Sequence, residues 1–178
     1  MDRELSIYIS ASEEMDAECE LVGQLLAEIT RQTRSTIRRT PPSRDMVNPD
    51  VEALVRSDFY IAILGGDLVA PIGVEWQAAQ RARVRTLGYR NAEATPSPSM
   101  QHFLRHTEHD WQEYHTPGEF IRKLEKTLLS RMIEETPGLG LHLEDLEEIS
   151  ARLKALEDEE DQEPTPDERR GASRGGVI

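Results

Sequence analysis

Glu75 is the residue of this chain whose type and position could do chemistry most directly. It follows an apolar run, Phe59–Leu64, and a turn containing Gly65 and Gly66, and it stands at the start of a helical pattern. A carboxylate just beyond the carboxyl end of a central strand can act on an anomeric carbon, as a nucleophile or by stabilising an oxocarbenium ion. An acid in the first turn of a helix also complements the helix dipole, which contributes about 0.3 to 1 kcal/mol. Position alone favours this second, structural role.

Small polar residues accompany this carboxylate at the predicted carboxyl ends of two strands. They are Ser10, Ser12, Gly65, Gly66 and Asp67. Ligands of open α/β sheets bind at such strand ends, where hydroxyl groups and glycines let a ribose or a phosphate approach the backbone. Each signal is weak when taken singly. Their shared location predicts a ligand site at this edge of the sheet.

Other kinds of chemistry find less support in the sequence. His102 and His106 are four residues apart, a spacing that can place two imidazoles on one helix face, but no glutamate stands beside His102 as in a metalloprotease motif. We therefore predict no metal site. The chain lacks a P-loop, a dinucleotide fingerprint and a serine hydrolase elbow. The single Cys19 excludes an intramolecular disulfide and a cysteine-based zinc site.

Length and charge restrict the class of protein further. The 178 residues suit one domain with a tail, and the net charge of −13 argues against a nucleic-acid partner, because duplex binding depends on basic residues. No apolar stretch approaches the roughly 20 residues that span a bilayer, and the first ten residues do not read as a secretory leader. These features predict a soluble cytoplasmic protein without a membrane partner.

The elements that position the candidate residues alternate between strand and helix. Strands are predicted at residues 5–10, 35–40, 59–64, 84–89 and 110–114, the second and fifth on weaker signals. Helices are predicted at residues 12–31, 51–55, 74–83, 99–106 and 116–136. This alternation predicts a doubly wound, mostly parallel sheet of about five strands.

The chain beyond residue 136 has a different character. Residues 137–158 form a predicted amphipathic helix with a narrow apolar stripe, which consists of Leu143, Leu146, Ile149, Leu153 and Leu156. The stripe could dock on the domain formed by residues 1–136, or it could mediate self-association or bind a protein partner. Docking is slightly favoured, because two heptads fall short of a coiled coil. Residues 159–178, acidic and then rich in Arg and Gly, are predicted to be disordered.

Three segments follow one another along the sequence: IYISASEEMDAE, SDFYIAILGG and GVEWQAA. In this order they resemble the TIR-like domains of unknown function at the front of bacterial signalling and defence proteins, which are distant relatives of the nucleoside deoxyribosyltransferases. The residues that match the family motifs are Ser10, Ser12, Glu14, Glu18, Asp58, Leu64, Gly65, Gly66, Glu75 and Ala79. The resemblance covers roughly residues 5 to 90. Cys19, where the family usually has Arg, and the turn DLVAPIG depart from it.

The resemblance implies a flavodoxin- or TIR-like fold and a function in signalling or defence. Glu75 lies where the related glycosyltransferases and NAD-cleaving TIR enzymes keep their catalytic glutamate, which implies cleavage of the N-glycosidic bond of NAD or a related nucleotide. The residues then expected to hold the ligand are Ser10, Ser12, Gly65, Gly66, Asp67 and Trp76. Asp58 would be structural, and no cofactor is implied beyond the nucleotide itself. Many related domains become active only when assembled.

A non-catalytic module of the same fold is the alternative hypothesis. Such a module would sense a nucleotide or bind a protein, and it would use the C-terminal apolar stripe to assemble. The bulky Trp76 beside Glu75 and the altered turn after Gly66 favour this version, because both would narrow a pocket.

Overall fold

Strands and helices alternate in the computed structural model, which describes residues 5–29, 35–41, 48–134, 139, 141 and 143–162. The strands are β1 (Leu5–Ala11), β2 (Ser35–Arg39), β3 (Phe59–Leu64), β4 (Arg85–Asn91) and β5 (Gln112–Tyr114). The helices are α1 (Asp16–Ile29), α2 (Val51–Val55), α3 (Ala70–Ala82), α4 (Pro98–His106), α5 (Pro117–Glu134) and α6 (Leu143–Gln162). A single 3₁₀ turn, Glu13–Met15, precedes α1. The predicted α/β class is confirmed.

The five strands form one sheet in the order β2-β1-β3-β4-β5, and every neighbouring pair is parallel. The chain moves outward from β1 to β2 and then returns to add β3 on the other side of β1. The strand order therefore reverses between β1 and β3. In open parallel sheets the crevice at the carboxyl ends of such a pair is the usual ligand site.

Both faces of the sheet are covered by helices, as expected for a doubly wound fold. Successive strand residues point to opposite faces, and all six residues of β3 are buried. The odd-numbered residues of β1 and β3 form an apolar core with α1 and α5, which includes Ile7, Ile9, Phe59, Ile61 and Ile63. The even-numbered residues Tyr8, Tyr60 and Ala62 instead pack against α2 and α3.

Helix α3 begins four residues earlier than the sequence pattern indicates. Its first residue is Ala70, with Pro71 in the first turn, so Glu75 lies in the second turn. The first turn contains no acidic residue. The helix-dipole interpretation of Glu75 is therefore wrong, because the dipole acts mainly within the first turn. The pattern missed this start because proline is a turn former as well as a favoured residue in a first helical turn.

The C-terminal helix α6 packs against the domain, the alternative that the sequence slightly favoured. Ile149 is buried in the α1 and α5 core, and Leu153 and Leu156 pack against that core, whereas Leu143 is 71% exposed. Arg152 pairs with Glu125 on α5 and with Glu28 on α1. Helix α6 ends four residues beyond the predicted 158, and residues 163–178 of the predicted tail lie outside the described residues.

No helix in the described ranges combines the length and the apolar character that crossing a bilayer requires.

Candidate functional site

The Glu75 carboxylate lies between α3 and the sheet and has no exposed surface. The Tyr8 hydroxyl donates to its Oε1 at 2.7 Å. Its Oε2 accepts from the hydroxyls of Ser10 at 2.5 Å and of Thr40 at 2.7 Å. Three hydroxyl groups, two on β1 and one on the residue that follows β2, thus converge on one buried carboxylate, and we call these four residues the Glu75 cluster.

The strand periodicity explains how the Glu75 cluster forms. Tyr8 and Ser10 are two residues apart on β1, so both side chains point to the α3 face. Thr40 follows β2, and its backbone N–H donates to the Ile9 carbonyl of β1 at 3.0 Å. Its hydroxyl also accepts from the Ala11 N–H at 3.2 Å. Thr40 is therefore held at the end of the strand pair by two further contacts, with its hydroxyl directed at Glu75.

Burial and hydrogen bonding act in opposite directions on Glu75. Burial raises the pKa of its carboxyl group, the hydrogen bonds from Ser10, Tyr8 and Thr40 lower that pKa, and the net effect is a raised pKa. Burial and the Glu75 carboxylate in turn raise the pKa of the Tyr8 phenol. Carboxyl groups with perturbed pKa values at the ligand edge of a sheet are candidates for catalysis, although structural clusters produce the same shifts.

Tyr60 lies beside the Glu75 cluster but does not share its hydrogen bonds. Its ring is 6.4 Å from that of Tyr8, and its hydroxyl is buried without a hydrogen-bond partner in the described part of the chain. Burial raises the pKa of this phenol, and the nearby Ser10 hydroxyl offsets part of the increase. No hydrogen bond joins Ser10 to Tyr60, and the Ser10 hydroxyl donates to Glu75.

The predicted glycine-rich turn is occupied by a carboxylate of the chain itself. Glu14 Oε1 accepts from the backbone N–H of Gly66 at 2.9 Å and of Asp67 at 3.3 Å, and from the Ser12 hydroxyl at 3.1 Å. A Cβ on Gly65 would lie 2.3 Å from that oxygen, so a larger residue there would displace the Glu14 carboxylate. Ser12, Gly65, Gly66 and Asp67 do come together at the β1 and β3 edge, around an internal anion.

Asp67 extends this edge toward α4. Its Oδ1 accepts from the hydroxyls of Ser97 at 2.6 Å and Ser99 at 3.0 Å, and from the N–H of Leu68 at 2.9 Å. These bonds lower the pKa of the Asp67 carboxyl group. The loop after β3 is thereby tied to the start of α4, and Asp67 is kept ionised.

The candidate residues thus form two neighbouring groups, and Trp76 belongs to neither. Ser10 contacts Glu75, while the remaining edge residues surround Glu14. Trp76 lies on another side of α3, where its ring is 6.2 Å from Tyr60 and 4.8 Å from Trp111. Within the described residues Glu75 lines neither of two cavities, of about 400 and 680 Å³. The carboxylate is enclosed by β1, the end of β2 and α3.

Sequence reasoning gave no part in the site to Tyr8 or Thr40, and it named Glu14 only as a match to a family motif. Tyr8 lies in a mainly apolar segment, although its spacing of two from Ser10 places both hydroxyls on one face of β1. Thr40 ended a weak strand, and no sequence signal connects it with Glu75, 35 positions later. Only the fold shows that Glu14 reaches the backbone of Gly66.

The described residues include no group of three or more His, Cys, Asp or Glu side chains arranged to hold a metal ion. His102 and His106 stack with ring centroids 4.1 Å apart, and the Nδ1–H of His106 donates to the His102 carbonyl at 2.7 Å.

A scan of the chain against models of known protein families finds no match, and a search of curated proteins finds none either.

Proposed function

We propose that this protein cleaves the N-glycosidic bond of NAD or a related nucleotide, with Glu75 as the carboxylate that acts at the anomeric carbon. The observation that best supports the proposal is the convergence of three hydroxyls on a buried carboxylate over β1, one of the two strands between which the strand order reverses. The TIR-like resemblance of residues 5 to 90 assigns the catalytic role to the same residue. A place in bacterial signalling or defence is part of this proposal.

The chemistry requires a fixed negative charge beside the sugar. As the bond between the anomeric carbon and the base nitrogen breaks, its electron pair leaves with the base and positive charge develops on the sugar. An ionised Glu75 would stabilise that charge, or form a bond to the carbon, until water adds. Tyr8, Ser10 and Thr40 would hold the carboxylate in one orientation, and the low local dielectric would strengthen its interaction with the cation.

Substrate access requires a change in the described arrangement. Because Glu75 is enclosed, β1, the end of β2 or α3 must move before a sugar can reach the carboxylate. The phosphates would lie at the adjacent edge, where Gly66 and Asp67 now donate to Glu14. An incoming phosphate would replace one anion by another, so these N–H groups would stay paired.

Nicotinamide release from NAD tests the proposal. Wild type should release nicotinamide at high protein concentration, because the related domains act when assembled, and Glu75→Gln should abolish release. Glu18→Gln is the matched control, since Glu18 is also buried and also accepts from a tyrosine. Equal release by wild type and Glu75→Gln would overturn the assignment of Glu75.

A non-catalytic module is the second candidate, and the enclosure of Glu75 favours it. A carboxylate with no exposed surface and three donors is also what a purely structural cluster would contain. In that case NAD or another nucleotide would bind at the edge and remain intact. Calorimetry combined with analysis of the recovered nucleotide separates the two functions.

Protein partners also remain part of this second candidate. Because Ile149 is buried against the domain, the C-terminal stripe can offer a partner mainly its outer end, at Leu143. Leu143→Glu should then reduce self-association or partner binding in light scattering. An unchanged mass and unchanged binding would count against a role for the stripe.

A further inference from the structure

We propose that the groove between α3 and α4 binds an uncharged planar heteroaromatic ring, at a site separate from the Glu75 cluster. The groove has a volume of about 680 Å³, within the range of small-molecule sites. Its lining includes Trp76, Phe103 and Val74, with His102 and His106 along α4. Leu68 and Ser99 place one side of it near the carboxyl edge of the sheet.

The groove and the Glu75 cluster lie on different sides of α3. Consecutive residues of a helix point about 100° apart, and Glu75 reaches over β1 while the next residue, Trp76, reaches toward Trp111 and α4. The Trp76 ring is 5.7 Å from that of Phe103 and nearly perpendicular to it, at 79°. A ligand in the groove therefore contacts Trp76 without contacting Glu75.

The walls of the groove favour a flat aromatic occupant. Trp76 and Phe103 form an aromatic wall, and the imidazoles of His102 and His106 are stacked with an interplanar angle of 29°. Rings of this kind bind other rings in offset-stacked or edge-to-face arrangements, at about 0.5 to 1.5 kcal/mol per pair beyond area burial. An aliphatic ligand would gain only the free energy of burying apolar surface.

The polar groups of the groove suit an uncharged heterocycle. Its lining contains no Asp, Glu, Lys or Arg. Gln77 offers both a donor and an acceptor through its amide, which makes no hydrogen bond to other described residues. Because the Nδ1 of His106 carries its proton toward a carbonyl, neutral His106 has an acceptor at Nε2. Donors and acceptors beside aromatic walls match the polar edge of a heterocycle.

A protein partner fits the groove less well than a small molecule. Val74, 54% exposed, is the only lining residue among the large apolar side chains that are exposed in the described ranges. Trp76 is only 6% exposed, so the aromatic wall is recessed. Stable protein interfaces bury roughly 800 Å² per partner, which one exposed valine and a recessed wall do not supply.

The two tryptophans of the chain provide a direct readout. Trp76 lines the groove, and the Trp111 indole N–H points at Thr107, another lining residue, with a long contact of 3.4 Å. In ¹⁵N–¹H spectra, adenine or nicotinamide at millimolar concentration should shift both indole signals saturably. Cyclohexanol, which has no aromatic π electrons, should not shift these signals. Equal shifts with cyclohexanol, or no saturable shift with either heterocycle, would overturn the proposal.

Two helical glycines supply a matched pair of variants. A Cβ at Gly73, in the groove, or at Gly23, on α1, meets no atom within 4 Å. Gly73→Phe should fill the groove and weaken binding of the heterocycles by at least about tenfold, while Gly23→Phe should leave it unchanged. Equal binding by both variants would contradict the assignment. Val74→Arg is a second blocking variant at an exposed position.

The readout also separates this site from the proposed reaction. Glu75→Gln should bind the heterocycles like wild type, because Glu75 does not line the groove. Binding of a free heterocycle involves no bond cleavage, so a failed NAD assay would not affect this result. Indole shifts that depend on protein concentration and not on the added heterocycle would place a second copy of the chain in the groove and overturn the proposal.

Discussion

Glu75 and Glu18 are two carboxylates buried on opposite faces of the same sheet, and they differ in their partners. Glu75 is 0% exposed and Glu18 is 4% exposed. Each accepts from a tyrosine, Glu75 from Tyr8 at 2.7 Å and Glu18 from Tyr114 at 3.1 Å. Only Glu75 also accepts from Ser10 and Thr40.

The difference shows that burial beside a tyrosine does not mark a functional carboxylate by itself. Glu18 lies on α1 and accepts from Tyr114 on the edge strand β5, beside the apolar core of α1 and α5. Glu75 lies over β1, one of the two strands between which the strand order reverses, and its two oxygens accept from three donors on β1 and at the end of β2. Position and the number of donors, rather than burial, therefore distinguish the candidate site.

Replacing each carboxylate by leucine should give the largest difference in stability. Glu75→Leu removes the acceptor of three buried hydroxyls, and each unsatisfied group costs about 1 to 3 kcal/mol, partly offset by the apolar side chain. We expect a loss of about 3 kcal/mol in the free energy of unfolding, against about 1 kcal/mol for Glu18→Leu. Urea denaturation measures both, and equal losses would remove the distinction.

The pH dependence of stability should reflect the titration of Glu75. Its folded pKa is raised above the ordinary value of 4.5, so the folded state binds the proton more tightly than the unfolded state. The resulting stabilisation is complete below the unfolded pKa and is lost as pH rises through the folded one, by about 1.4 kcal/mol per unit of pKa difference.

The Glu75→Gln variant has no titrating group at this position, so its comparison with wild type isolates the contribution of Glu75 to the pH dependence of stability. Wild type should therefore lose stability relative to Glu75→Gln as pH rises above about 4.5. Unfolding curves across this interval measure the difference. A wild type that gains stability over the same interval would show that hydrogen bonding outweighs burial at Glu75.

Two neighbouring tyrosines give a smaller and sharper contrast. Tyr8→Phe removes one hydrogen bond to Glu75 and should cost about 1 kcal/mol. Tyr60→Phe removes a buried hydroxyl that has no partner in the described part of the chain, so it should be neutral or slightly stabilising. Thermal unfolding of both variants tests this contrast, which a larger loss for Tyr60→Phe would reverse.

Glu14→Ala should have the smallest effect on stability, about 1 kcal/mol or less, because Glu14 is exposed. It frees the N–H groups of Gly66 and Asp67 and removes a nearby negative charge. Inorganic phosphate should then bind more tightly than to wild type in a calorimetric titration. Unchanged phosphate affinity would show that the N–H groups of this turn bind the Glu14 carboxylate and not an added phosphate.

Local patterns were sufficient to predict five strands and a mostly parallel sheet. The buried β3 segment and the Thr116 start of α5 follow from neighbouring residues, and in the structure Thr116 Oγ1 accepts from the Glu119 N–H at 3.1 Å. The start of α3 was misplaced because proline and glycine signal turns and helix starts alike. The sequence placed Ser10 and Glu75 at one edge of the sheet, as a ligand-binding and a catalytic residue, but it did not predict the hydrogen bond that joins them.

The long-range contacts could not be predicted from the same patterns. Thr40 reaches Glu75 only because β2 lies next to β1, which strand order decides and periodicity does not. Glu14 reaches Gly66 across 52 positions. The enclosure of Glu75 likewise depends on how α3 packs on the sheet. These three features define the surroundings of Glu75 and of the turn beside it, and all of them arise from tertiary packing.

Nicotinamide release from NAD by concentrated wild type, Glu75→Gln and Glu18→Gln is the most direct test of the central claim. The account predicts release by wild type and by Glu18→Gln, and none by Glu75→Gln when all three are equally folded. Release that persists in Glu75→Gln would contradict the claim that Glu75 is the reacting carboxylate. It would leave the cluster a structural feature of the fold.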